Sequence, residues 1–185
     1  MCLHVPQLEA SKTSAQMRLL ASLCRELLMA ERAVARSCPR EAERLGSSPP
    51  AVVLRAVAGH ATDAAIELAL LRDACDIPLL SLPERVVLFL SRARGSVLDR
   101  LLPKQLTYRA RLAELHRGVD TVRLLRSTAR VTGYLEIADW CDSWLGVRGP
   151  LLELSGEELS WFAENPARAM ARATHSEWNP ALARG

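Results

Sequence analysis

Reading every third or fourth residue from Met17 gives Met17, Leu20, Cys24, Leu27, Glu31, Val34 and Cys38, a helical apolar seam with one carboxylate set into it. Hydroxyls at Thr13 or Ser14 can cap this first helix, and Pro39 predicts its end at about Cys38. A short helical turn in "REAERLGSSPP" and a Gly/Ser/Pro loop follow. Pro49 and Pro50 suit the first turn of a second helix, whose stripe of Val53, Val57, His60, Ala64, Leu68 and Leu71 runs to about Cys75. A third helix is expected from Ser81 or Leu82, before Pro83, past Val86, Phe89 and Leu90 towards Leu102, where Pro103 interrupts it. The fourth, about Lys104 to Thr132, presents Leu112, Leu115, Val119, Val122 and Ala129, and Gly133 is placed to cap it in the left-handed conformation.

A fifth helix from about Tyr134 to Leu145 sets Ile137, Cys141 and Trp144 on one side. Gly146, Gly149 and Pro150 predict a break before "LLELSGEELSWFAE", which Asn165 and Pro166 close. "NPARAMARA" and "NPALARG" then each begin as an Asn-Pro helix start. The apolar period is three to four throughout, so strand content should be near zero and the fold all-α. The expected organisation is a flexible segment over residues 1–12, a helical domain over 13–164 and a helical or frayed tail over 165–185.

Composition narrows this further. The 185 residues suit one domain with a core large enough to need neither disulfides nor a structural metal. Cys2, Cys24, Cys38, Cys75 and Cys141 show no paired spacing, and four of them fall in helical patterns, so they read as small buried apolar residues in a reducing, cytoplasmic setting. The N-terminus has no basic segment followed by an apolar run, which argues against a secretory signal. The most hydrophobic stretch carries Arg55, His60, Asp63 and Glu67, too many polar groups for a transmembrane span. Nearly all cations are arginine, with lysine only at Lys12 and Lys104, a bias that suits a GC-rich bacterial genome.

Long helices joined by brief connections point to a bundle of four main helices with short accessory ones. The stretches "AERAVARS", "LRAVAGHATDAAIELA" and "ELHRGVDTVRLLRSTARVTGYLEIADWCDSWL" resemble a diverged ferritin-like up-down four-helix bundle, nearest to the stress-induced bacterial ferritin-like proteins. The resemblance spans residues 13–155 and lies in helix order and spacing. It implies a di-metal centre with a carboxylate from each of two helices and a Glu-x-x-His pair from each of the other two. Residues three apart share a helix face, which is how such a pair grips one ion. This chain departs from that pattern: Val57 precedes His60 by three, Ala113 precedes His116, and Arg172 precedes His175. Glu114 lies two residues before His116, about 200 degrees around the helix, and cannot share its ion.

A partial set remains. Glu31, His60, Asp63, His116 and Asp120 could form a mixed carboxylate and imidazole site for iron or manganese. Against it, a histidine on an alanine-rich stripe is more commonly a packed core residue, and Glu31 has counterions in Arg123, Arg126 and Arg130, which recur at helical spacing. On balance Glu31 is expected in a buried ion pair, with no cofactor.

Other chemistry has little support. Phosphate-binding glycine loops and the hydrolase G-x-S-x-G elbow are absent from the sequence. The arginines of "YRARLAELHRGVDTVRLLRSTAR" could line a nucleic-acid groove, but no aromatics interleave with them and the net charge is only +3. Trp140, Trp144, Trp161 and Trp178 cluster late in the chain, and Trp140, Trp144 and Trp161 with Arg123, Arg126 and Arg130 are of the residue types enriched where proteins meet. Core closure is the simpler role for the tryptophans. The expected function is a non-catalytic binding or assembly protein that self-associates or binds a protein. The alternatives are an iron or manganese protein and a nucleic-acid-binding protein.

Overall fold

A computed structural model of the chain describes residues 5–77 and 102–172. Among these residues the structure is helical: α1 (Val5–Leu45), α2 (Pro49–Ala74), α3 (Lys104–Thr132), α4 (Leu135–Glu157), and the short α5 (Leu159–Glu164) and α6 (Pro166–Met170). One isolated bridge, Pro103 to Arg172, ties the start of α3 to the end of α6. No helix among the described residues is long and apolar enough to cross a membrane.

The first seam is buried as its spacing predicts: Leu20, Cys24, Leu27, Glu31, Val34 and Cys38 all face the core, with Met17 packed at its edge. Two expected boundaries are corrected. α1 begins at Val5, upstream of the hydroxyls at Thr13 and Ser14, so residues 5–12 belong to the helix. It also runs through Pro39 to Leu45. Proline there removes one backbone donor, but beyond it Ala42 and Leu45 continue the apolar stripe and Glu41 accepts from Thr107 Oγ1 at 2.6 Å. Burial of that last stretch outweighs the lost hydrogen bond.

α2 begins on Pro49 and Pro50, and α3 ends where Gly133 takes φ +81°. That left-handed residue lets Tyr134 N–H reach back to Ala129 O at 2.9 Å, closing the exposed carbonyls of the last turn. The third correction is α4, which passes through Gly146, Gly149 and Pro150 to Glu157 as one helix. Beyond the expected stop, Arg148, Leu152 and Ser155 are buried on the same side as Ile137, Cys141 and Trp144.

The four long helices pack side by side around one core. α1 packs against α2 and α3, and α4 packs against α2 and α3, so α1 and α4 occupy opposite corners, as do α2 and α3. Cross-links give the directions. Glu41 meets Thr107 and Glu26 meets Thr121, making α1 antiparallel to α3. Glu67 meets Trp140 and Cys75 meets Glu136, making α2 antiparallel to α4. Tyr108 Oη donates to Ser155 O at 2.8 Å and Arg126 pairs with Asp142, making α3 antiparallel to α4. The order is therefore up, down, down, up rather than a strict alternation, because α2 and α3 run the same way. The helix expected from Pro83 towards Leu102, Trp178 and the Asn-Pro start at Asn179 lie outside the described residues.

A buried guanidinium between a carboxylate and an imidazole

Arg148 lies inside the protein, 1% exposed, as is Glu31. From α4 its side chain crosses the core to α1 at the opposite corner, where Nη2 donates to Glu31 Oε2 at 2.6 Å. Its Nε donates to Nδ1 of His60 on α2 at 3.0 Å. One guanidinium thus joins three helices. It also stacks over the Trp144 ring, with Cζ 4.7 Å from the centroid, and the Trp144 and His60 rings lie 5.7 Å apart. The cation is therefore surrounded by an anion, a lone pair and a π face, each of which offsets part of its desolvation.

The electrostatics follow from these contacts. Burial pushes the Glu31 carboxyl upward, and the charge and hydrogen bond of Arg148 pull it back. His60 is lowered to about 4, first by burial and then by the neighbouring guanidinium. It is therefore neutral at physiological pH. Since Nδ1 accepts from Arg148, the ring proton resides on Nε2.

Of the five candidate metal ligands, Glu31 and His60 converge, and both are engaged by Arg148. Asp63, His116 and Asp120 are exposed, and Asp120 faces Arg123 at 3.5 Å. Among the described residues no group of three or more His, Cys, Asp or Glu side chains is placed to hold a metal ion. The donors present do not fit a di-metal centre. A permanently charged guanidinium fills the space between the carboxylate and the imidazole, and a cation binding there would have to displace it.

The expected counterions of Glu31 are corrected. Arg126 and Arg130 both bond Asp142, each at 2.7 Å, and hold its carboxyl below the usual range, while Arg123 pairs with Asp120. Arg123 and Arg130 are exposed and Arg126 is half-buried, and the partners of all three are Asp120 and Asp142, not Glu31. The spacing that would have found Arg148 is in the sequence: Ile137, Cys141, Trp144 and Arg148 form one stripe, hidden when the helix is ended at Gly146.

The tryptophans divide. Trp144 is buried, and so is not available to a partner in this structure. Trp140 is partly buried and donates Nε1–H to Glu67 at 3.0 Å, while Trp161 packs edge-on against Phe162 with centroids 5.1 Å apart. Both pack against the edge of the core while keeping part of their surface exposed. Burial raises Cys24 and Cys141 to about 12 and Cys38 to about 11, so these thiols stay protonated and act as apolar fillers.

Compared with known protein families, curated proteins and solved structures, the chain matches none.

Proposed function

We propose that the protein is a non-catalytic helical binding or assembly protein of ferritin-like lineage, in which a fixed guanidinium stands where such a bundle holds metal. The observation that carries this is the position of Arg148: between Glu31 and His60, bonded to both, in the middle of the core. Exchanging an ion for an arginine keeps the interior charge balanced and the helices cross-linked, but gives up an open coordination position and with it Lewis-acid or redox chemistry.

Connectivity supports the lineage. α1 with α2 and α3 with α4 form two antiparallel hairpins joined by short turns. α2 and α3 are parallel at opposite corners, with the end of α2 and the start of α3 at opposite ends of the helices, the relative direction that the second and third main helices of a ferritin-like bundle with one long crossover also have.

The test is elemental analysis of the full chain purified from cells grown with added iron, manganese and zinc. The expected result is well below one metal per chain, unchanged by further incubation with ferrous iron. One or two equivalents per chain, lost together with Glu31→Gln, would establish the metal-protein reading instead.

A further inference from the structure

α1 and α4 stand at opposite corners and run the same way, since each is antiparallel to α3. Their outward sides carry opposite charge. On α1 the row facing away from the buried seam holds Arg18, Arg32, Arg36 and Arg40, all exposed, and among the described residues no ion pair engages any of them. Glu26 borders this row on the α3 side, where it accepts from Thr121, and Glu43 follows Arg40 at its end. On α4 the outward row is Asp139, Ser143, Gly146, Pro150, Glu153 and Glu157, and the one cation of that helix, Arg148, points inside. Asp139, Glu153 and Glu157 are exposed and without an ion pair among the described residues, whereas Asp142, at the α3 border, is already taken by Arg126 and Arg130.

The two rows have the same spacing. Arg18 and Arg36 are eighteen residues apart, about five turns or 27 Å, with Arg32 one turn before the second of them. Asp139 and Glu157 are also eighteen apart, with Glu153 one turn before the second. Reversed, the acidic row has its short step at the wrong end, so only parallel helices bring all three pairs together, and α1 and α4 are parallel. The rows are also nearly level. Glu26 meets Thr121 and Arg126 meets Asp142, which puts Glu26 at the height of residue 147 of α4; Glu41 meets Thr107 and Tyr108 meets Ser155, which puts Glu41 near the height of Ser155. Repeating the molecule sideways, with a shift along the helices of at most about two turns, therefore lays the arginines of one copy on the carboxylates of the next. Arg25 and Met29, both half-buried, then come opposite Gly146 and Pro150, which leave them room.

We propose that α1 of one molecule packs beside α4 of the next, with Arg18, Arg32 and Arg36 against Asp139, Glu153 and Glu157, in a head-to-tail contact between copies of this chain. A contact between two different surfaces closes into a ring or grows into a filament, according to the rotation between neighbours. A nucleic-acid partner would use the arginine row alone, which has no aromatic side chain for stacking bases, and would leave the matching acidic row without a role. The inference rests on reading the protein as an assembly protein, and specifies its partner as itself.

The experiment is sedimentation equilibrium of the full chain over a wide concentration range at low and high ionic strength, with helical content followed by circular dichroism. Wild type should form dimers and larger species at low ionic strength and dissociate as salt is added, because the paired groups are exposed. Two charge reversals give the decisive arm. Arg32→Glu with Arg36→Glu, and Glu153→Arg with Glu157→Arg, should each weaken association by about tenfold or more at unchanged helicity, since like charges then meet. An equimolar mixture of the two proteins should associate as wild type does, because each reversed row finds its opposite on the other protein. A wild type monomeric throughout at low ionic strength, association indifferent to either pair, or a mixture no better than its components would each overturn the contact. So would a monomeric wild type that binds a short DNA duplex through Arg32 and Arg36, which would give the arginine row to nucleic acid. Metal content is read separately, so a monomer without metal rejects this contact and leaves the reading of Arg148 in place.

Discussion

Glu31, Arg148 and His60 form a unit whose members cannot be removed singly without leaving a charge or donor stranded. Replacing Arg148 with Met leaves a buried carboxylate, and Glu31→Leu leaves a buried guanidinium without its anionic acceptor; each should cost about 3–5 kcal/mol. The double variant Glu31→Leu with Arg148→Met removes both charges and should recover most of that loss, since well-packed apolar replacements of a buried pair are often neutral or better. Urea unfolding of the four proteins gives the coupling directly, and additive losses would mean that the pair does not act as a unit.

The imidazole adds a pH dependence with a definite sign. In the unfolded chain it takes a proton near pH 6.5, and in the folded protein only near 4. Below 6.5 the unfolded state therefore binds the extra proton, and His60's contribution, complete above that pH, is lost as pH falls towards 4. At about 1.4 kcal/mol per pKa unit the window is worth about 3 kcal/mol, reduced to roughly 2 by the ring's partial exposure. Glu31, raised by burial, acts in the opposite sense: its share is present in acid and lost as pH rises through its elevated value. The measurement is consequently a difference, stability against pH for wild type and for His60→Gln, which can still accept from Arg148. Wild type should lose about 2 kcal/mol more than the variant between pH 6.5 and 4; parallel curves would show that the ring titrates alike in both states. At this scale the odd carboxylate in the seam was legible from its position among Leu27, Val34 and Cys38. Its partner was not, because seam spacing says which residues face inward on one helix and nothing about which corner of the bundle answers them.

Helix interiors were legible wherever an apolar stripe was continuous, and helix ends only where a stop signal met a stop in burial. Gly133 is such an agreement: its φ of +81° follows Ala129, the last buried residue of α3. Pro39, Gly146, Gly149 and Pro150 carry the same local signals, yet the stripe continues through Ala42 and Leu45 in α1 and through Leu152 and Ser155 in α4. Intrinsic costs of about 1 kcal/mol for glycine and about 3 kcal/mol for proline are smaller than the summed burial of the turns beyond them. This distinction predicts opposite outcomes for one substitution. Gly133→Ala puts a side chain into a left-handed residue and should destabilise by about 1–2 kcal/mol even though the surrounding space is open. Gly146→Ala and Gly149→Ala meet nothing within 4 Å in an ordinary helical backbone, and each should stabilise by about 0.5–1 kcal/mol. Thermal unfolding of the three variants checks the set, and stabilisation by Gly133→Ala would contradict the capping role.

For the whole molecule, what counts is which helices are neighbours, and no single-helix pattern contains that. Periodicity gives each helix one buried face but leaves open whether the second hairpin is laid beside the first in alternation or crosses it. The cross-links settle the direction of every neighbouring pair, and together they put the end of α2 and the start of α3 at opposite ends: Cys75 lies by Glu136 at the start of α4, whereas Thr107 lies by Glu41 near the end of α1. A distance measurement separates the two arrangements without reference to function. α2 has 26 residues and so is about 39 Å long, and spin labels at positions 75 and 104 should give a pulsed-resonance distance of about 35–45 Å. Labels at 75 and 136 should be close, since the Cys75 sulfur is 3.9 Å from the Glu136 carboxylate. A strictly alternating bundle would instead bring positions 75 and 104 to adjacent helix ends, about 10 Å apart. The same result bears on Arg148. Arg148 makes its two bonds with α1 and α4 at opposite corners and α2 between them, reaching Glu31 across the core and His60 beside it, so a short distance between 75 and 104 would contradict the arrangement in which those bonds are made.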